Sequence, residues 1–144
     1  LWDLSRHSGR RRLAVWNFRK GCAEHVFVVS HGSGSTESHV RSARARVSNE
    51  DGSHLSSEGR ALVAERYTGS YGVAYRLDGL DETNASLRSR CVVLHGWRYT
   101  THLPIWPVAT VGSWGCPVVS TRDMETLDSI LQREQRVVLW AYMD

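Results

Sequence analysis

No run of apolar residues in the chain approaches the roughly 18 needed for a membrane helix, so the sequence carries no such span. Cysteine is limited to Cys22, Cys91 and Cys116. An odd count excludes a fully paired internal disulfide framework, and at least one thiol is free or pairs with another chain. No Cys-x-x-Cys occurs, which argues against a structural zinc site. Lysine is nearly missing: Lys20 stands alone, and every other fixed cation is arginine. The net charge is only +3, and the run Arg10-Arg11-Arg12 is too short to carry a nucleic-acid claim. Aromatics do not interleave with a basic stripe as single-strand binders require, so no nucleic-acid partner is expected. Affinity for an anionic polymer such as cell wall stays open. The chain opens at Leu1 rather than Met, so a signal peptide or anchor ahead of it also stays open.

What is present suits one domain over residues 1–144, long enough to bury a sizeable core without staples. Hydrophobic residues make up 41% and charged residues 23%, as in ordinary globular chains. The pattern is mostly β. Leu13–Phe18 and His25–Val29 are short runs rich in β-branched and aromatic residues, joined by Arg19-Lys20-Gly21 as in a hairpin. Ser30–Ser38 is a Gly/Ser loop, and Arg41–Gly59 reads as a long polar loop of the kind that is often functional. Tyr67–Leu80 reads as strands broken by tight turns, and Cys91–Leu94 as a compact strand ending at His95-Gly96. One helix is expected in the C-terminal half: Ser120 caps it, Asp123 follows three residues on, and Met124, Leu127, Ile130 and Leu131 share a face. Val137–Tyr142 closes as a strand. Many strands with one helix point to a β-sandwich or barrel-like domain.

Two local features carry chemistry. In Ser113-Trp114-Gly115-Cys116-Pro117 a cysteine follows a glycine, whose backbone freedom lets a turn expose the sulfur. Such a turn can also aim successive N–H groups at one point, as an oxyanion hole does. The thiol needs a base to become a nucleophile. His95 ends an apolar strand and precedes Gly96, where a rigid scaffold meets an open loop. Taken singly, each has a bland reading: a buried structural cysteine, a hydrogen-bonded structural histidine.

Taken together they form a pattern: His95-Gly96, a spacer reaching to Gly112, then Ser113-Trp114-Gly115-Cys116. This resembles the active-site signature of L,D-transpeptidases. The ordered series Val29-Ser30-His31-Gly32, Ser48-Asn49, Gly52-Ser53, Ser56-Ser57-x-Gly59, Tyr67-x-Gly69, Arg76-Leu77-Asp78-Gly79-Leu80-Asp81, Thr83-Asn84 and Ser113–Pro117 extends it over about residues 25–140. That series resembles the murein L,D-transpeptidase catalytic-domain family, the second YkuD-like branch.

The resemblance implies a mostly β, YkuD-like β-sandwich with one C-terminal-half helix, Cys116 as nucleophile and His95 as base. It implies Ser113, Trp114 and Gly115 as the site turn, with no cofactor and no metal. It implies peptidoglycan stem peptides as partner and an exported, periplasmic or wall-associated bacterial protein. The cysteine would attack the carbonyl of the third stem residue and expel D-Ala. An amine would resolve the acyl-enzyme to a 3,3 crosslink, or water would give carboxypeptidase activity. His31, Gly96 and Tyr99 are further substrate-binding candidates, and His31 could instead orient His95 or be structural. The larger YkuD branch carries Arg or Asn two residues after the cysteine, where this chain has Val118; Arg98, Arg122 and His31 are candidates to replace it. Papain-like and NlpC-like peptidases place cysteine before histidine, whereas all seven histidines here precede Cys116. A zinc hydrolase would use His31, His95 and a third ligand such as Cys116 or an acid, but the chain has no His-x-x-x-His pair to support it, and a wall-binding module without turnover needs no such set of residues.

Overall fold

The structure, a computed structural model, describes residues 1–144. Eight strands form one sheet: β1 (Trp2–Asp3), β2 (Arg11–Asn17), β3 (Cys22–Val28), β4 (Gly59–Gly69), β5 (Gly72–Gly79), β6 (Val93–Gly96), β7 (Val118–Val119) and β8 (Val138–Tyr142). Their order is β3-β2-β1-β8-β4-β5-β6-β7. β2 and β3 pair antiparallel as the expected hairpin, with Asn17 opposite Cys22 across the turn. β4 and β5 form a second hairpin around Ser70-Tyr71, with Gly69 opposite Gly72. β4 starts at Gly59, well before the strand pattern read at Tyr67.

The two ends of that order meet. Ser30, just past β3, bridges Val118 on β7, and Gly32 bridges Ser113. The sheet therefore curls back on itself, and its faces share one core. Trp2, Leu13 and Phe27 from one end lie in the same buried cluster as Leu77, Leu94 and Val119 from the other. Closure of this kind leaves few unpaired strand edges.

The helix α1 (Thr121–Arg133) begins where expected. Ser120 Oγ accepts from Asp123 N at 3.0 Å and so satisfies one orphan N–H of the first turn. Met124 and Leu127 are buried beneath it. Asp128 on its outer side takes Arg66 Nε at 2.7 Å and Tyr75 OH at 2.6 Å, which fixes the helix to β4 and β5. A Cβ on Gly96 would lie 2.9 Å from Met124 Cβ, so glycine at the end of β6 lets the helix close on the sheet. This contact fixes the backbone next to His95.

Candidate active site

β6 and β7 are parallel neighbours, with His95 paired to Val118 and His95 N donating to Pro117 O at 3.4 Å. The turn that carries Cys116 feeds directly into β7. A residue ending one strand and a residue beginning the next are thereby held side by side, which is why the long spacer matters less than its two ends.

The turn is braced from three directions. Ser113 Oγ donates to Cys116 O at 2.6 Å and accepts from Gly115 N at 3.2 Å. Ser56 Oγ donates to Gly115 O at 2.9 Å. Gly115 has φ +117, and a Cβ there would lie 2.9 Å from Leu55 O, so both conformation and space demand glycine. Cys116 Sγ accepts from Val93 N at 3.4 Å. The Gly115 N–H is committed to Ser113, whereas those of Trp114 and Cys116 have no protein acceptor.

His95 is buried, and its Nδ1 lies 2.9 Å from Gly96 O. A carbonyl only accepts, so Nδ1 carries the hydrogen and Nε2 is left as a bare acceptor. The ring of Tyr71, from the β4–β5 turn, stacks on the imidazole at 4.4 Å and 22°. Cys116 and His95 line one cavity of about 460 Å³, together with Trp114, Trp97, Arg90 and Asp51. Burial holds His95 below the ordinary imidazole value of 6.5, with the Gly96 carbonyl opposing. Burial raises the Cys116 thiol above its ordinary 9.0, opposed by the Val93 N–H and by the Arg90 charge. At neutral pH the resting pair is therefore thiol and neutral imidazole.

Trp114 is exposed at the cavity wall, where His54 stacks on it at 4.9 Å. Gly96 contributes its carbonyl and its lack of a side chain; it is absent from the cavity lining. Tyr99 stands one layer behind the cavity, edge-on to Trp97 at 5.0 Å and to His39 at 4.7 Å. His31 is not brought to the cavity. Its backbone carbonyl accepts from Ser113 N at 2.9 Å, but its side chain turns the other way. There Arg12 Nη2 donates to Nδ1 at 2.6 Å and Nε2 lies 2.9 Å from Ser42 Oγ. Its place is that of a buried strut. Arg98 bonds to Tyr99 OH at 2.9 Å, and Arg122 is exposed on α1, so neither stands behind Cys116.

The strut has a consequence for stability. Burial, and after it the Arg12 charge, push His31 down to about 3. A histidine kept neutral in the fold but protonated near 6.5 when unfolded stabilises the protein above 6.5, and that contribution is lost as pH falls toward 3. Between pH 7 and pH 5 the loss from His31 alone is about 2 kcal/mol. Urea unfolding at the two pH values measures it. His31→Gln should remove that part of the slope, and an unchanged slope in a folded His31→Gln variant would contradict the assignment.

Sequence reasoning missed Arg90, Tyr71, His39, His54 and Asp51, all of which line the cavity. The only advance signal was the long polar loop, which supplies Asp51 and His54. Cys22 and Cys91 are free and exposed, and Cys91 lines the cavity too. No three of His, Cys, Asp and Glu converge to hold a metal ion.

Similarity to known proteins points the same way. The crystal structure of an L,D-transpeptidase from Xylanimonas cellulosilytica superposes with a TM-score of 0.51 at 19% identity, which speaks to the fold. The match covers 98% of this chain and 58% of that one. No protein of curated function matches the sequence. The model of the YkuD_2 family, the L,D-transpeptidase catalytic domain, matches residues 1–142. Nearly the whole chain falls within that match, and it belongs to the YkuD_2 family of L,D-transpeptidase catalytic domains.

Proposed function

We propose that residues 1–144 form a single catalytic domain that transfers acyl groups of peptidoglycan tetrapeptide stems through Cys116, outside the cytoplasmic membrane in the bacterial periplasm or wall. The observation that carries this reading is the shared cavity of Cys116 and a His95 whose Nδ1–H is spent on Gly96 O, leaving Nε2 to accept a proton.

The steps follow from those positions. As the sulfur attacks the carbonyl of the L-residue–D-Ala bond, His95 Nε2 takes the thiol proton. The tetrahedral oxyanion is met by the unclaimed N–H groups of Trp114 and Cys116 in the rigid turn. His95 then returns the proton to the departing amine of D-Ala as the C–N bond breaks, leaving a thioester. An acceptor amine attacks that thioester, passes its proton through His95, and restores the thiol. When the amine belongs to another stem, the product is a 3,3 crosslink; when water attacks, the outcome is an L,D-carboxypeptidase. Both share the first half-reaction.

Incubation with a disaccharide-tetrapeptide, followed by mass spectrometry, tests the reading. Released D-alanine with a crosslinked dimer supports transpeptidation, and D-alanine with a tripeptide stem supports hydrolysis. A folded protein that binds wall material and releases no D-alanine is a binding module instead.

A further inference from the structure

Arg90 lies three residues before the start of β6 and is half-buried. Its guanidinium makes four hydrogen bonds, all into the 48–57 segment. Nη1 donates to Ser48 O at 3.0 Å and Ser57 Oγ at 2.9 Å; Nη2 donates to Leu55 O at 2.7 Å and Ser53 Oγ at 3.1 Å. Every acceptor is neutral, so the fork holds the segment while its charge stays unspent on an ion pair. The same segment carries Asp51 and His54 into the cavity wall.

The head group also abuts the nucleophile's turn. A Cβ on Gly115 would lie 3.4 Å from Arg90 Nη2 and 2.9 Å from Leu55 O. Arginine and Leu55 thus form one layer directly behind Gly115-Cys116. Among the residues lining the cavity, Arg90 is the one arginine or lysine. Val118, where the larger branch has its arginine, is buried in the sheet between Ser30 and His95 and has no room for a charged head group.

We infer that Arg90 is a positioning residue of the acyl transfer: it clamps the 48–57 segment against the Gly115 turn and holds a fixed positive charge behind the Cys116 sulfur. This rests on the reading of Cys116 as nucleophile. None of the other titratable groups around the sulfur is a fixed cation. Burial keeps His95 neutral on β6, Asp51 is of the wrong sign, Cys91 is a second thiol, and His39 and His54 line the wall from the loops. Consistent with this, the Arg90 charge lowers the Cys116 thiol against the upward effect of burial.

Arg90→Gln and Arg90→Lys, made in the full chain with thermal unfolding as the control for folding, separate the two roles. Three readouts are needed: the pH profile of Cys116 alkylation by iodoacetamide, and kcat and KM on disaccharide-tetrapeptide. Arg90→Gln should move the alkylation midpoint to higher pH and lower kcat by about 10- to 100-fold, the scale of a small misplacement at the reacting atoms. Arg90→Lys should keep the wild-type midpoint, because it keeps the charge, yet lose part of kcat because an ammonium cannot span four acceptors. A folded Arg90→Gln variant with the wild-type midpoint and kcat overturns the inference. If Arg90→Gln does not fold, a folded Arg90→Lys with wild-type kcat overturns the clamp. A wild-type protein that releases no D-alanine would defeat the acyl-transfer reading instead, and the alkylation profile would still report on Arg90.

Discussion

Replacing Cys116 with alanine should reduce turnover by about 10⁴-fold or more while leaving the fold in place. The chemical loss is complete: no other sulfur is in position. Cys22 is exposed at the start of β3, and Cys91, although it lines the cavity, has no bond that aims it at a substrate carbonyl; its sulfur sits 4.0 Å from Ser89 O. The structural loss is small. Cys116 is packed against the core from its edge, and its one side-chain bond is the acceptance from Val93 N at 3.4 Å. Leaving that N–H without a partner costs on the order of 1–3 kcal/mol, within what a domain of this size tolerates. Three measurements bear on it: D-alanine release, thermal unfolding, and mass gain from a carbapenem, whose strained cyclic amide should acylate the wild-type thiol and leave Cys116→Ala unmodified. Cys22→Ser and Cys91→Ser should retain activity. A folded Cys116→Ala that still releases D-alanine at the wild-type rate would sink the nucleophile assignment. Loss of activity in Cys91→Ser with unchanged unfolding would move it to the neighbouring thiol.

Local signals proved readable where a residue's role depends on its sequence neighbours. Ser120 caps α1 because a hydroxyl three residues ahead of Asp123 meets its N–H, and both positions are visible in the chain. The first hairpin was visible because Arg19-Lys20-Gly21 interrupts two β runs. The parallel pairing of β1 with β8 and the closure from Ser30 to Val118 join residues far apart in sequence, and no periodicity records them. The site divides along the same line. Cys116 and His95 carry a motif whose ends lie on adjacent strands. Arg90 does its work through the 48–57 segment, and nothing in the string Ser89-Arg90-Cys91 points there. His31 shows why a local pattern is degenerate. It shares with His95 the form of an apolar run followed by His-Gly, yet Arg12 on β2 stands beside one ring and an open cavity beside the other. Strand patterning fixes which residue ends a strand; what the curled sheet brings opposite it decides the chemistry.

Changing His95 to glutamine should lower kcat/KM by about 10²- to 10⁴-fold, the range for a positioned general base. Glutamine keeps a polar side chain of comparable reach but cannot take and return a proton. An imidazolium beside the sulfur would stabilise a thiolate at rest, and burial works against it. It disfavours the charged form of both partners, holding His95 neutral and Cys116 protonated. The signs then fix the pH behaviour. Activity requires neutral His95, so the acid limb of kcat/KM should fall below the 6.5 of ordinary imidazole; it requires a proton on the pair, so the alkaline limb should lie above the 9.0 of an ordinary thiol. A bell-shaped profile alone does not distinguish a neutral pair from an ion pair, because both hold one proton between two groups. Alkylation does distinguish them, since iodoacetamide reacts with the thiolate. In a neutral pair His95 contributes no resting charge, so His95→Gln should leave the alkylation midpoint close to wild type while acylation by substrate slows with kcat/KM. A midpoint that moves clearly to higher pH on loss of His95 would mean an imidazolium had been holding the thiolate, and the neutral resting pair would be wrong. His31→Gln, remote from the sulfur behind Arg12 and Ser42, should change neither the midpoint nor acylation. If it did so while His95→Gln did not, the base would be His31.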